Sequence, residues 1–487
     1  MNKAGINKNA TYSIIKNIFA IIFPLITFPY SSRVLGAENL GKLNFANSIV
    51  GYVGLIASLG ITAYAVRECA AVKSDRDKLS EVSSQVFSIN IVSTIIAYIA
   101  LAIALIVAPQ LRSYRFLIIV QSMTIIFIIL GTEWLNTAMT DFRYITIRTV
   151  LFQVISVVLM FLFVKDRDDY MIYAFINLIS AGGTNILNMF YRRKFCKVRF
   201  TWNMQIKYHI KPIMMLFSMI LVQTIFVSTD MTILGLAKGD YEVGLYTTST
   251  RIYTMVNTVV SSLAWVVMPE MSELFVKKDY ERINSLLKYT LNIIIALGLP
   301  CVVGLNLLSD ELVLTLAGSE YIESVLSLRI LTISLAFSFA GGFIGNIILL
   351  PSKKENIMLI SSLVCAAVNL ILNLILIPKF GLNAAAATTA LSNAIGFFFG
   401  IPFVDKEIKL KGVGKMLLCS VLGVVGMSGI VMLVKMLHLK PIPTAITGMV
   451  AGAVVYFVIM LLLKDDFVLQ YANQAIDKFK TIVRRKS

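Results

Sequence analysis

FPLITFPYSSRVLGAENLGKLNFANSIVGYVGLIASLGITAYAVRE, residues 23–68, decides the fold. Two long apolar runs are joined by a short turn that carries Gly36 and Gly41. Pro24 and Pro29 lie inside the first run, Arg33 stands at its exit, and Arg67 and Glu68 stand at the exit of the second. Each run is about 20 residues, the length an α-helix needs to cross a hydrocarbon core of about 30 Å. The stretch predicts a membrane-crossing helical hairpin. Its prolines remove helix hydrogen bonds and predict a bend in the first helix.

The rest of the chain has the same character. Of 487 residues, 57% are hydrophobic and only 15% charged, with mean hydropathy +0.81. A soluble protein carries about 25% charged residues, so an ordinary soluble chain is excluded. The alternation over roughly ten residues that marks an outer-membrane barrel is absent. The pattern predicts an all-α integral membrane protein with about fourteen transmembrane helices. The hairpin corresponds to helices near 11–30 and 43–66, and the fourth helix to 115–135. The expected organisation is a first six-helix lobe over 1–191, a basic linker over 192–211 and a second lobe over 212–405. Two more helices over 406–464 and a basic tail over 465–487 follow.

Charge placement predicts orientation. Arg67, Lys73, Arg76 and Lys78, the cluster Arg192 to Lys211, and Lys406 to Lys415 all fall on one side, while the opposite loops hold few cations. The positive-inside rule puts both termini in the cytoplasm. The first helix runs on past any cleavage-site pattern and is expected to be retained. The net charge of +17 reads as this asymmetry plus attraction to anionic lipid, not as a nucleic-acid surface. The five cysteines lack a CxxC and read as packing residues, and His209 and His438 are too far apart in sequence to argue a metal site. GAENLGKL, Gly36 to Leu43, falls short of a phosphate-binding loop because Leu43 stands where the hydroxyl is needed and no strand precedes it. Energy is therefore expected from an ion gradient, H+ or Na+, or from consumption of the product, with no cofactor.

An internal repeat is also legible. Gly41 at the start of the second helix aligns with Gly244 at the start of the eighth, an offset of 203. An even number of helices per repeat implies parallel repeats.

The opening stretch, with GTEWLNTAMTDFRYITIR (131–148) and STDMTILGLAKGDYEVGLYTTSTRIY (228–253), resembles the polysaccharide transporter family. These are the Wzx-type lipid-linked oligosaccharide flippases of the MOP exporter superfamily, which includes MATE-like proteins. The resemblance implies two six-helix lobes around a central cavity, two extra helices, and export of an undecaprenyl-diphosphate-linked sugar unit across the bacterial plasma membrane. It implies partners in a polyprenyl-diphosphate oligosaccharide and the lipid bilayer, and leaves polysaccharide-assembly proteins open as further partners. For Arg33 and Arg67 it favours a basic collar; residue chemistry alone leaves interface anchors equally open. Glu133-Trp134 is similar to an acidic-Trp pair of the family, and otherwise reads as an interface anchor.

Asp230 and Arg251 are the ionisable residues deepest in apolar helices, at matched depth on consecutive helices. An intramembrane charge faces protein or a watery cavity. Two roles are open: an ion pair holding the hairpin, or Arg251 as an anion site with Asp230 as its counter-ion or as a proton or sodium acceptor. Glu68 joins this coupling set through Arg67. Tyr52 and Tyr253 offer aromatic faces for sugars, and Gln121 offers a neutral polar contact or an interhelical hydrogen bond. Two rivals are weighed. A cation-coupled multidrug exporter should favour carboxylates in its cavity, whereas the buried arginine expected here favours an anionic substrate. A membrane-embedded glycosyltransferase or polymerase should carry a large catalytic loop, and none is present.

Overall fold

The computed structural model describes residues 3–410 and 412–463; the expected basic tail, 465–487, lies outside the described residues. Among the described residues every regular element is helical. In chain order the α-helices, leaving aside short 3-10 and π turns, are α1 (Lys3–Ser58), α2 (Ile61–Ala71), α3 (Arg76–Val107), α4 (Arg115–Gly131), α5 (Glu133–Ala138), α6 (Phe142–Phe163), α7 (Tyr170–Tyr191) and α8 (Ile206–Lys238). Then come α9 (Asp240–Lys277), α10 (Tyr280–Leu307), α11 (Ser309–Leu316), α12 (Ser324–Gly342), α13 (Glu355–Gly400), α14 (Val413–Met436) and α15 (Pro441–Leu462). Among the described residues eleven helices are long and apolar enough to cross a membrane, or twelve with the pair Asp240–Ser262 and Val267–Lys277, bent by 45°.

Two of these eleven are far longer than one crossing. The segment Ile18–Ala71 has 54 residues and Glu355–Phe403 has 49, against about 20 for a single pass. Each reverses at one glycine, Gly36 (φ 74, ψ 171) and Gly381 (φ 59, ψ −141). Left-handed and extended-positive conformations cost an L side chain about 1–3 kcal/mol, which glycine escapes. Helical dihedrals continue through Pro24 and Pro29, so the break falls at Gly36 instead.

The repeat is written in the backbone. Gly239, 203 residues after Gly36, has φ 89 and ψ −178, nearly the same conformation. Asp75 caps α3 by accepting from the amides of Asp77 and Lys78, and Asp279, 204 residues on, caps α10 by accepting from Arg282. Such caps contribute about 1 kcal/mol each.

By compactness the chain divides into two units, residues 1–247 and 248 onward, with α9 running across the division. In the first, α1 packs on α3, α4, α6 and α8, and α4 on α7. In the second, α12 packs on α13, α10 on α12 and α14, and α14 on α15. A buried cluster of Leu308, Met416, Met427, Val431, Tyr456 and Met460 joins α14 and α15 to the end of α10.

Two expected helices are interrupted. The run expected over 43–66 breaks at Leu59 (φ 45) and Gly60 (φ 71). Gly60 lies against the backbone of Leu216 and Phe217 on α8, leaving no room for a Cβ. The run over 115–135 breaks at Thr132 (φ 50). There the freed carbonyls of Leu130 and Gly131 accept from Arg192 (2.9 Å) and Asn188 (2.6 Å) on the far end of α7.

Candidate functional site

The first unit carries three of the expected groupings separately. Arg33 is exposed on α1, three residues before the Gly36 reversal. Arg67 and Glu68 form an ion pair at the end of α2 (3.3 Å), and the Arg67 guanidinium lies over the Tyr64 ring at 5.5 Å. Tyr64 in turn hydrogen-bonds His209, whose other nitrogen meets Gln85 Oε1 at 3.0 Å. This buried polar chain ties α2, α3 and α8 together.

Glu133 is half-buried, not a simple boundary charge. Its carboxylate pairs with Arg148 of α6 and with Lys16 of α1 (3.3 Å). The Arg148 side chain is 1% exposed, stands over the Tyr144 ring at 5.4 Å, and leaves Nε and Nη1 without a partner. In the sequence Arg148 reads as one more cytoplasmic cation. A cation two turns inside an apolar helix, with an acid fifteen residues earlier, was the available signal.

Asp230 is buried near the end of α8, where Tyr246 Oη donates to its Oδ2 at 2.8 Å. Two residues on, Thr232 Oγ1 meets Ser48 Oγ (2.9 Å) and Tyr52 Oη (3.2 Å). Tyr52 therefore serves an interhelical hydrogen bond. So does Gln121, whose Nε2 donates to the Leu43 carbonyl at 3.1 Å while its Oε1 stays buried and unpartnered.

Arg251 belongs to the second unit, across the division from Asp230, and is exposed. It heads a face of α9 that sequence reasoning missed. Thr254, Thr258 and Ser262 follow at spacings of three and four residues, and all are exposed. Those spacings put the four side chains on one helical face. Each hydroxyl donates back to its own helix, Thr254 to the Arg251 carbonyl (3.0 Å), Thr258 to Thr254 (2.8 Å) and Ser262 to Val259 (2.7 Å). Their oxygens keep lone pairs free for an outside donor.

The opposite face of α9 is polar too, but packed. Ser249 bonds Ser327 Oγ (2.6 Å) and the Ser324 carbonyl (2.8 Å), and Asn257 accepts from Ser338 (3.1 Å). Tyr253 is buried, with its hydroxyl accepting from Asn393 at 3.4 Å. These bonds fix the helix and leave the arginine-hydroxyl face as its outward surface. Among the described residues no group of three His, Cys, Asp or Glu is placed to hold a metal.

A charged side chain within an apolar helix is costly to turn to lipid, and the three hydroxyls that share a face with Arg251 donate within their own helix. The fold is similar to that of the lipid II flippase MurJ in an inward closed conformation, with TM-score 0.71 at 16% identity over 95% of this chain and 100% of that one. An inward-facing multidrug resistance MATE family transporter of the MOP superfamily follows with TM-score 0.59 at 16% identity, over 79% and 98% of the two chains. Residues 6–275, more than half of the chain, match the family model described as polysaccharide biosynthesis protein, and the chain belongs to that family. It is similar to a putative O-antigen transporter of Escherichia coli strain K12, 24% identical over 37% of this chain and 44% of that one. It is also similar to the capsular polysaccharide biosynthesis protein CapF of Staphylococcus aureus, 23% identical over 80% of this chain and 96% of that one. The chain thus spans less than half the length of the first relative and nearly all of the second.

Proposed function

We propose that this protein is a flippase, not an enzyme, moving a polyprenyl-diphosphate-linked oligosaccharide from the inner to the outer leaflet of the bacterial plasma membrane by alternating access. The family and the MurJ-like fold support a transporter of lipid-linked glycan. One observation carries the choice of substrate: the exposed face of Arg251, Thr254, Thr258 and Ser262 on α9. A guanidinium matches phosphate oxygens or an acidic sugar, and a row of hydroxyls matches sugar hydroxyls. The two long elements reversed at Gly36 and Gly381 each count as two passes in this reading. That brings the total to fourteen, with both termini cytoplasmic.

Asp230 is the residue we assign to coupling with H+ or Na+, with Tyr246 as the donor that holds its carboxylate. Arg33 and Arg67 make the basic exits, Glu68 joins the coupling set through its ion pair with Arg67, and Glu133 is held by Arg148 and Lys16. The lobe division over 1–191 and 212–405 follows the repeat, and polysaccharide-assembly proteins are the expected partners. A multidrug exporter is the weaker reading, because the ionisable group on the hydroxyl-bearing face of α9, Arg251, is a cation. Cells lacking the protein should accumulate a polyprenyl-diphosphate oligosaccharide, detected by mass spectrometry of extracted lipids. Unchanged lipid-linked sugars would remove the proposal.

A further inference from the structure

The connection between α7 and α8 carries the longest basic run of the chain, and its non-helical part is fastened to α3. Ser80, Ser84 and Ser88 stand four residues apart on α3. Ser80 Oγ accepts from the amide of Lys197 (3.2 Å), Ser84 Oγ from Arg199 (3.1 Å) and Ser88 Oγ from Thr201 (2.8 Å). Four residues of helix rise about 6.0 Å and two residues of extended chain about 6.6 Å. The two periods match closely enough for a ladder, so the segment lies along α3 as a strap.

The ladder also sets the depth of the strap. Helix α3 has 32 residues, about 48 Å, against a hydrocarbon core of about 30 Å. Its exposed apolar face starts at Val92 and continues through Ile95, Ile99 and Ile103 to Val107. Ser88 lies one turn before that face, so the bond from Thr201 holds the end of the strap at the headgroup layer. There the strap presents Phe200 (41% exposed), Trp202 (86%) and, at the start of α8, Tyr208 (65%). Arg199, Lys207 and Lys211 alternate with them and are exposed. Trp202 packs edge-on against Phe200 at 5.0 Å.

We propose that this edge is a docking surface for anionic phospholipid headgroups, with Trp202 inserted at the interface and Arg199, Lys207 and Lys211 bound to lipid phosphates. Aromatic rings favour that layer, and basic residues beside a membrane helix are attracted to anionic lipid. The strap then anchors the inter-lobe connection to both α3 and the leaflet. The depth given by the Ser88 bond and the charge of the edge together select lipid over a protein partner.

The full chain with Trp134→Phe and Trp265→Phe keeps Trp202 as its single tryptophan. Reconstituted into phosphatidylglycerol nanodiscs, Trp202 should be quenched by shallow-brominated lipid and should be about threefold less open to acrylamide than in phosphatidylcholine nanodiscs. Lys207→Glu with Lys211→Glu should abolish that difference. Equal acrylamide quenching in both lipids, or no quenching by brominated lipid, would overturn the proposal. Should the tryptophan variant fail to fold, hydrogen exchange of the unmodified protein gives the same decision. Amides of residues 202–207 should exchange more slowly in phosphatidylglycerol than in phosphatidylcholine, and equal rates would overturn it.

Discussion

Gly41 and Gly244 lie at a helix crossing where each packs on the backbone beside the other. A Cβ on Gly41 would meet the Asp240 carbonyl, and a Cβ on Gly244 would meet the Ala37 carbonyl. Ala37 and Asp240 are separated by the same 203 residues as the two glycines. The contact is thus reciprocal, and the alignment of two glycines in the sequence corresponds to a real two-fold-like crossing of α1 and α9. Backbone cannot yield as a flexible side chain can, so overpacking here should cost about 1–3 kcal/mol. Gly41→Ala and Gly244→Ala should each lower the melting temperature in detergent. Gly429→Ala, where a Cβ meets open space inside α14, should leave it unchanged or raise it, since alanine is the better helix former by about 1 kcal/mol. Equal behaviour of all three would mean that the crossing is loose.

Much of this was open to reading from residues, and some was not. Gly36, Gly41 and Gly244 announce themselves because few residues but glycine tolerate those conformations and contacts. The burial of Arg148 did not, since a loop-side cation and a buried one have the same neighbours in sequence. The breaks at Gly60 and Thr132 depend on Phe217 and on Asn188 and Arg192, far along the chain. The hydroxyl face of α9 was legible by spacing, but only exposure separates it from the packed serines on the other side.

Removing the carboxylate from Arg148 should be costly. Glu133→Gln leaves a buried guanidinium without its charged partner, and breaking a fully buried pair costs about 3–5 kcal/mol. Glu133 is itself 37% exposed, so about 2 kcal/mol is the expected loss. The double change Glu133→Leu with Arg148→Met should recover most of it. Thermal melts of the three purified proteins decide the point, and a double variant less stable than Glu133→Gln would contradict it.

Charge at position 251 should matter more than volume. Arg251→Gln should reduce export of the lipid-linked glycan by about tenfold, one lost charge-assisted contact, and Arg251→Glu should abolish it at equal protein level. Arg251→Lys should fall between wild type and Gln, because an ammonium keeps the charge and loses the planar fork. Export assays normalised to membrane protein give the ranking. Equal activity for Gln and Glu would speak against an anionic substrate there.

Cys196 begins the strap and is buried, with its thiol against Ser83. Burial pushes that thiol above its ordinary range, so at pH 8 less of it is thiolate, the form that reacts. Maleimide labelling of native protein at pH 8, read peptide by peptide, should be about tenfold slower at Cys196 than after denaturation in SDS. Labelling should speed up as the pH rises further. Rapid labelling of Cys196 in the native protein would mean that the ladder on α3 does not hold the strap closed.

The most direct test is transport itself. The purified protein is reconstituted into liposomes carrying a polyprenyl-diphosphate oligosaccharide in the leaflet opposite an added glycosidase. With the protein present, the oligosaccharide should become cleavable over time, and the Arg251→Glu variant should not support this. If the lipid stays protected with active, correctly inserted protein, or becomes cleavable at the same rate in liposomes without it, the flippase proposal is wrong.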